Sequence, residues 1–284
     1  MNKNQLALVF SGVILLIALV LFGKTINPEK PNNVPAAEQT SIPPYSIEDQ
    51  LNRGKKSLPA HQMEPLVTLE SQLNRATDSL SRQLACEKLA RFWKDSADQH
   101  ELHVYYLHQG AMLVNSEKNL TFAARQIFNE MRREDDASIR VWKAEKAIEL
   151  YERAQILQPE NDSLKIGLAG CYIFGKGMTG DAGETMKGVQ MLLGIVRKDS
   201  LNMAAQQLLG IGGVLSTQYD KAIARLELVV ARMPDNLEAV SWLADAYAGK
   251  GDKVNAVKWY NYSKKLVNNP DFSREVDQRI SQLK

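Results

Sequence analysis

From Glu64 to Gln158 apolar residues return at helical spacing, as in Leu66, Leu69, Leu73, Ala76 and Leu80, then Leu84, Leu89 and Phe92. Such positions share one face of a 3.6-residue helix, and the strict alternation of a half-buried strand is absent. Side chains suited to capping a first helical turn stand at Thr77-Asp78, Asp98, Ser116 and Asp136 to Ser138. They divide the stretch into about five helices arranged as antiparallel hairpins. Beyond it the pattern becomes periodic on a longer scale. Laying Asn202 to Asn236 over the residues that follow puts Leu209-Gly210 on Leu243-Ala244, Ala222 on Ala256, Leu226 on Tyr260 and Pro234 on Asn268, each 34 residues apart. Backwards, the pattern meets Gly188, Leu192 and Ile195, then Leu168-Ala169-Cys171-Tyr172, then Ala147, Tyr151, Ala154 and Pro159. The step from Ala147 to Gly188 is 41, or 34 plus 7, which places a seven-residue insertion in the stretch FGKGMTGDAGE. Phe272, Val276, Ile280 and Leu283 form one stripe behind Pro270. That stripe predicts a helix closing the last open face of an array.

A large and then a small apolar residue in a first helix, Ala-x-x-x-aromatic or aliphatic in a second, and the 34-residue period together resemble the tetratricopeptide repeat. The resemblance covers residues 139–269. The helix around Gly110 and the segment Ala124-x-x-x-Phe128-x-x-Met131 resemble a degenerate copy, although Ala124 to Ala147 is only 23 residues. The resemblance implies an all-α fold, a right-handed α-solenoid of antiparallel helix pairs that binds protein segments on a concave face lined by the first helix of each pair. The positions it assigns to that face are Ser163, Ile166, Gly170 and Ile173, then Ala204, Gln207, Ile211 and Val214, then Glu238, Ser241, Asp245 and Ala248. Family members that clamp a peptide carboxylate carry Lys, Arg and Asn there, whereas this chain has Ile166, Gln207 and Ser241 where such a lysine would stand. The implied partner is therefore an apolar or amphipathic protein segment, with a basic flank to answer Glu238 and Asp245.

The amino-terminal pattern is different. Leu6 to Phe22 carries no charge and is flanked by Lys3 and Lys24. At ~1.5 Å per residue it covers ~26 Å, just enough to span a bilayer with the lysines at the headgroups. No small-residue cleavage site follows closely, which favours an uncleaved anchor over a signal peptide. The expected protein is single-pass, in a bacterial inner membrane, with the repeats in the periplasm, because a short tail before a first apolar helix resembles a signal anchor. From Asn27 to Pro59 six prolines deny the chain a periodic face, so this stretch is expected to be a linker without helix. The resulting divisions are an anchor at 1–24, a linker at 25–62, a helical region at 63–138, repeats at 139–269 and a capping helix at 270–284.

Composition narrows the chemistry. The chain has 284 residues and a formal net charge of +2, too balanced for the concentrated basic face that nucleic acid demands. Cys86 and Cys171 fall within helical patterns and are read as buried small apolar residues. Gly170 to Gly177 comes within one residue of a phosphate-binding loop but lacks the final hydroxyl and leaves a helix instead of a strand. His100-Glu101-Leu102-His103 is one residue short of the zinc-protease spacing, and no third ligand is evident from the sequence. Trp93, Trp142, Trp242 and Trp259 lie on apolar patterns and are assigned to the core. No enzyme activity and no cofactor are expected. Behind the scaffold reading stand a holdase-like accessory chaperone of the cell envelope and, last, a nucleotide- or metal-dependent enzyme. Gly210 and Gly213 suit close helix packing, while Gly212 has no place in the repeat pattern and serves either helix packing or the approach of a ligand backbone.

Overall fold

The structure, a computed structural model, describes residues 42–177 and 182–283. The described chain is helical: α1 (Ile47–Ser57), α2 (Ala60–Arg75), α3 (Ser79–Arg91), α4 (His100–Leu113), α5 (Glu117–Met131), α6 (Ala137–Leu157), α7 (Asp162–Gly170), α8 (Ala182–Lys198), α9 (Met203–Leu215), α10 (Tyr219–Arg232), α11 (Leu237–Lys250), α12 (Lys253–Val267) and α13 (Pro270–Gln282). α3 and α7 each run on into a wider π-helical turn, Phe92–Ser96 and Cys171–Lys176. No described helix is long and apolar enough to cross a membrane, and the Leu6 to Phe22 segment lies outside the described residues.

Caps set the helix starts. Asp78, Ser116 and Asp136 accept hydrogen bonds from the first turns of α3, α5 and α6. Asp98 does not cap, because its φ of 51° turns it out of line and α4 begins after Gln99. In the repeats the caps keep the register themselves. Asn202 Oδ1 accepts from Ala205 N at 3.1 Å, and Asn236 Oδ1, 34 residues on, accepts from Ala239 N at 3.1 Å. Asn161, 41 residues before Asn202, caps α7 by accepting from Ser163 N at 3.0 Å. Each such cap is worth ~0.5–2 kcal/mol to its helix.

The hairpins are α3 with α4, α5 with α6, α7 and its π turn with α8, α9 with α10, and α11 with α12. This corrects the expectation that the Gly110 helix and the Ala124 helix form one degenerate repeat. Gly110 faces backwards to α3, where an added Cβ would meet Cys86 Cβ at 3.0 Å. Ala124 and Ala147 belong to the two arms of a single hairpin, so their separation of 23 residues is an intra-hairpin distance. The linker expectation is also corrected at its end. Ile47–Ser57 contains no proline, is capped by Ser46, and carries Glu48 and Asp49 in its first turn with Lys55 and Lys56 in its last. Those charges complement the helix dipole, and Leu51 packs on the core.

The core runs unbroken along the described array. Phe128 and Met191 pack against both the amino-terminal and the central clusters, and Tyr247 and Trp259 against both the central and the carboxy-terminal ones. Phe272, Ile280 and Leu283 join Val276 in covering Tyr260 and Ala256, the role expected of the last helix. The repeat positions Leu209, Leu226, Leu243, Ala244, Ala222, Ala256 and Tyr260 are all buried. At Gly210 a Cβ would lie 2.7 Å from Leu226 Cγ, so the small residue is a condition of the hairpin's closeness. At Gly212 the nearest atoms, both on Ile173, would be 3.9 Å away, an ordinary contact between packed helices.

The near phosphate-loop sequence is helical. α7 continues through its π turn, and Gly175 packs so tightly on α6 that a Cβ would come within 2.3 Å of Ala144 Cβ. The extra residues of this repeat are thus partly taken up in a longer first arm, with residues 178–181 outside the described chain.

Candidate protein-binding face

The first arms follow one another in contact: α5 touches α7, α7 touches α9, and α9 touches α11. Where α5, α7 and α9 meet, an open cleft of about 360 Å³ is lined by Arg125, Phe128 and Asn129 from α5, Ser163, Ile166 and Gly167 from α7, Ala204, Gln207 and Leu208 from α9, and Tyr151 behind them. Gly167 makes room for Tyr151, since a Cβ there would lie 2.4 Å from the ring's Cζ. Burial pushes the Tyr151 hydroxyl above its usual range, with the positive charge of Arg125 opposing it.

The residues assigned to this face from the sequence separate into groups. Ser163, Ile166, Ala204 and Gln207 line the cleft. Ile173 and Ile211 are interior, at 1% and 0% exposure, and belong to the central core. Gly170 is buried beneath Phe128, whose Cε2 would stand 2.8 Å from an added Cβ. Val214, Ser241 and Ala248 are half-buried outside the cleft. For Ile173 and Ile211 helical spacing alone misleads, because each first arm is enclosed by its own second arm and by the neighbouring hairpins.

Glu238 and Asp245 do not form a free acidic end. The Arg132 guanidinium, at the end of α5, bridges across to Glu238 at the start of α11, joining residues 106 apart in the chain. Arg132 also lies over the rings of Phe174 at 4.7 Å and Phe128 at 5.8 Å. Gln207 Nε2 donates to Glu238 Oε2 at 2.9 Å and its own Oε1 accepts from Asn236 at 2.7 Å. Asp245 Oδ1 accepts from the Tyr260 hydroxyl at 2.6 Å and from Arg279 at 3.3 Å. Both carboxylates are answered within the chain, which removes the reason for a basic flank on the partner.

A second cleft, of about 370 Å³, lies between α3 and α5 with His103 and Leu107 of α4 on its floor and Glu87, Lys94 and the exposed Phe122 at its sides. His103 Nδ1 is 3.0 Å from the Ala90 carbonyl oxygen, which fixes this nitrogen as the donor. Its Nε2 faces Glu130 Oε1 at 3.4 Å, while His100 Nδ1 stands 3.9 Å from Glu130 Oε2. The acidic neighbour of the two histidines is therefore on another helix, 27 residues beyond His103, where no local spacing could reveal it. Burial holds the His103 ring below the usual histidine range, against the pull of Glu130. No group of His, Cys, Asp or Glu able to hold a metal ion occurs among the described residues. On the second-arm side Trp259 and Tyr262 meet edge to face at 5.9 Å and, with Val230 and Pro234, line a cleft between α10 and α12. Trp93 and Trp142 are core residues, whereas Trp242 and Trp259 are half-buried.

No protein-family model matches the chain. No curated protein matches it either. Among solved structures it is similar to the MamA protein, at 16% identity and a TM-score of 0.41 over 65% of this chain and 91% of that one. A tetratricopeptide repeat protein from Parabacteroides merdae matches at 16% identity and a TM-score of 0.42, over 78% and 87% of the two chains. The TPR domain of P58(IPK) matches at 16% identity and a TM-score of 0.31, over 83% and 73%. Within the chain itself, the 34-residue register, the asparagine caps and the small-residue hairpin contact carry the resemblance to the tetratricopeptide repeat.

Proposed function

We propose that this chain is a membrane-tethered scaffold that holds an apolar or amphipathic segment of a partner protein against the first-arm face of its repeats. The observation that carries the reading is the open cleft across α5, α7 and α9, where Phe128, Ile166 and Leu208 offer apolar surface beside a few polar side chains. Extended or helical segments dock on such surfaces through apolar anchors, with polar groups setting register. Leu6 to Phe22 supplies the tether, and the proline-rich stretch behind it gives the folded part reach from the bilayer. In this reading the repeats stand on the periplasmic side.

Ala204 is exposed and lines the cleft, so Ala204→Trp fills it without touching the core. In crosslinked affinity purification of the full chain, Ala204→Trp is expected to lose partners that the wild type retains; equal recovery would overturn the reading. Ile211→Glu is unsuited to this purpose, because it would place a charge at a fully buried position. For the tether, the repeats should be digested by protease added to spheroplasts, and their protection there would refute periplasmic placement.

A further inference from the structure

The two arginines on the exposed side of α5 differ in one respect. Arg125 and Arg132 are seven residues apart, two helical turns on one face. Arg132 is met by Glu238 and lies over two aromatic rings. Arg125 is exposed at the cleft and makes no ion pair or hydrogen bond with any described residue. No Asp or Glu lines that cleft. The other polar side chains that line the cleft, Asn129, Tyr151, Ser163 and Gln207, are uncharged, while Phe128, Ile166 and Leu208 supply apolar surface.

We infer that the cleft selects a partner segment carrying an acidic side chain flanked by apolar residues, the carboxylate pairing with Arg125. This rests on the reading of the first-arm face as the binding surface. A guanidinium offers a planar fork of donors that a carboxylate fits bidentately, and the pairing is strengthened where apolar groups exclude water. The Arg132–Glu238 pair is the same interaction satisfied within the chain. The cleft crosses three first arms, so the segment continues past the charge, and the carboxylate belongs to a side chain and not to a chain terminus.

The test uses the full chain in detergent and a phage library of random peptides joined to the coat protein through their carboxy-terminal ends, which presents no free terminal carboxylate. Selected sequences should be rich in Asp or Glu beside apolar residues. Synthetic, amidated copies should lose about tenfold or more in affinity on Arg125→Gln, equivalent to ~1.4 kcal/mol. Arg125→Lys should restore part of the loss, and Arg125→Glu should redirect selection to Lys- or Arg-containing peptides. Replacing the peptide's own acid by its amide should reproduce the Arg125→Gln loss without further effect in that variant. Selected peptides that Ala204→Trp blocks but Arg125→Gln and Arg125→Glu leave unchanged would overturn the acidic specificity and leave the face intact. Copies synthesised with a free carboxy terminus should bind no more tightly than the amidated ones, and tighter binding of the free acids alone would overturn the inference in favour of terminal recognition. Selected peptides indifferent to Ala204→Trp, or no enrichment at all, would overturn the face itself and this inference with it.

Discussion

The hairpins α3 to α6 and the hairpins α9 to α12 are built from the same kind of helix and stacked differently. In the second set the first arms α9 and α11 touch, the hairpins close on small residues, and the caps recur at 34 residues. In the first set the second arms α4 and α6 touch instead, and the first arms α3 and α5 stand around the cleft over His103. α6 is 21 residues long, against 14 for α10, so its hairpin cannot keep the period. Among the described residues, buried basic side chains mark the same divide. His103, His108 and Lys143 lie in the amino-terminal hairpins, with Lys143 Nζ 2.7 Å from Glu134 and His108 Nε2 2.8 Å from Glu149. A sequence period fixes helix pairing and stacking together; where the period lapses, individual side chains hold the helices.

The sharpest way to break this comparison is through Trp93, which is fully buried in the π turn after α3 and meets Phe92 edge to face at 5.4 Å. Trp93→Ala should cost ~3–5 kcal/mol in urea unfolding. Because each hairpin contacts chiefly its neighbours, amide exchange in α11 and α12 should change far less than in α3 and α4. A uniform loss of protection would mean that the two halves form one cooperative unit.

Two glycines come next, Gly188 on α8 of the enlarged repeat and Gly212 on α9 of the periodic set. At Gly188 a Cβ would stand 2.6 Å from the Ala169 carbonyl oxygen, a backbone atom that cannot rotate away. Gly188→Ala should therefore destabilise by ~1–3 kcal/mol. Gly212 has room for the methyl group, and Gly212→Ala should stabilise by ~0.8–1 kcal/mol through helix propensity. Thermal melts of the pair should move in opposite directions. A loss at Gly212 would mean that the helices pack more closely there than an added methyl group allows.

Acid should act on the amino-terminal half first. Burial lowers the His103 and His108 pKa values despite Glu130 and Glu149 beside them, while Lys94, His100 and Lys146 push the same way as burial. The unfolded chain then takes up protons near the ordinary histidine value, about 6.5, where the folded chain does not. Stability is full above that value and falls as pH drops through it toward the lowered folded values. His103→Gln with His108→Gln should flatten melting temperature against pH in this window, and an unchanged slope would refute the assignment. The smallest effect belongs to Arg132 and Glu238, whose side chains are 30% and 35% exposed. A double-mutant cycle should give a coupling of ~0.2–1 kcal/mol, reduced by salt.

Much of this was legible in the residues. The spacing of Leu66 to Leu80, the caps at Asp78, Ser116 and Asp136, and the closing stripe from Phe272 to Leu283 are local facts with local causes. The Ile47–Ser57 helix was hidden by prolines that lie on both sides of it and not within it. Of the candidate face, Ser163, Ile166, Ala204 and Gln207 could be placed from register, while Arg125 and Asn129 could not, because they lie upstream of the residues the register covers.

By itself the sequence determined that the chain makes helices, where the capped ones begin, and that a 34-residue unit recurs, since periodicity, capping and register depend on neighbours along the chain. Only the tertiary structure decided that α3 pairs with α4, that Ile173 and Ile211 are interior, that Glu238 is answered by Arg132 from 106 residues away, and that Arg125 stands free of any described partner. The physical reason is that a helical pattern says which side of a helix is apolar, whereas exposure and charge pairing depend on how closely other helices approach that side.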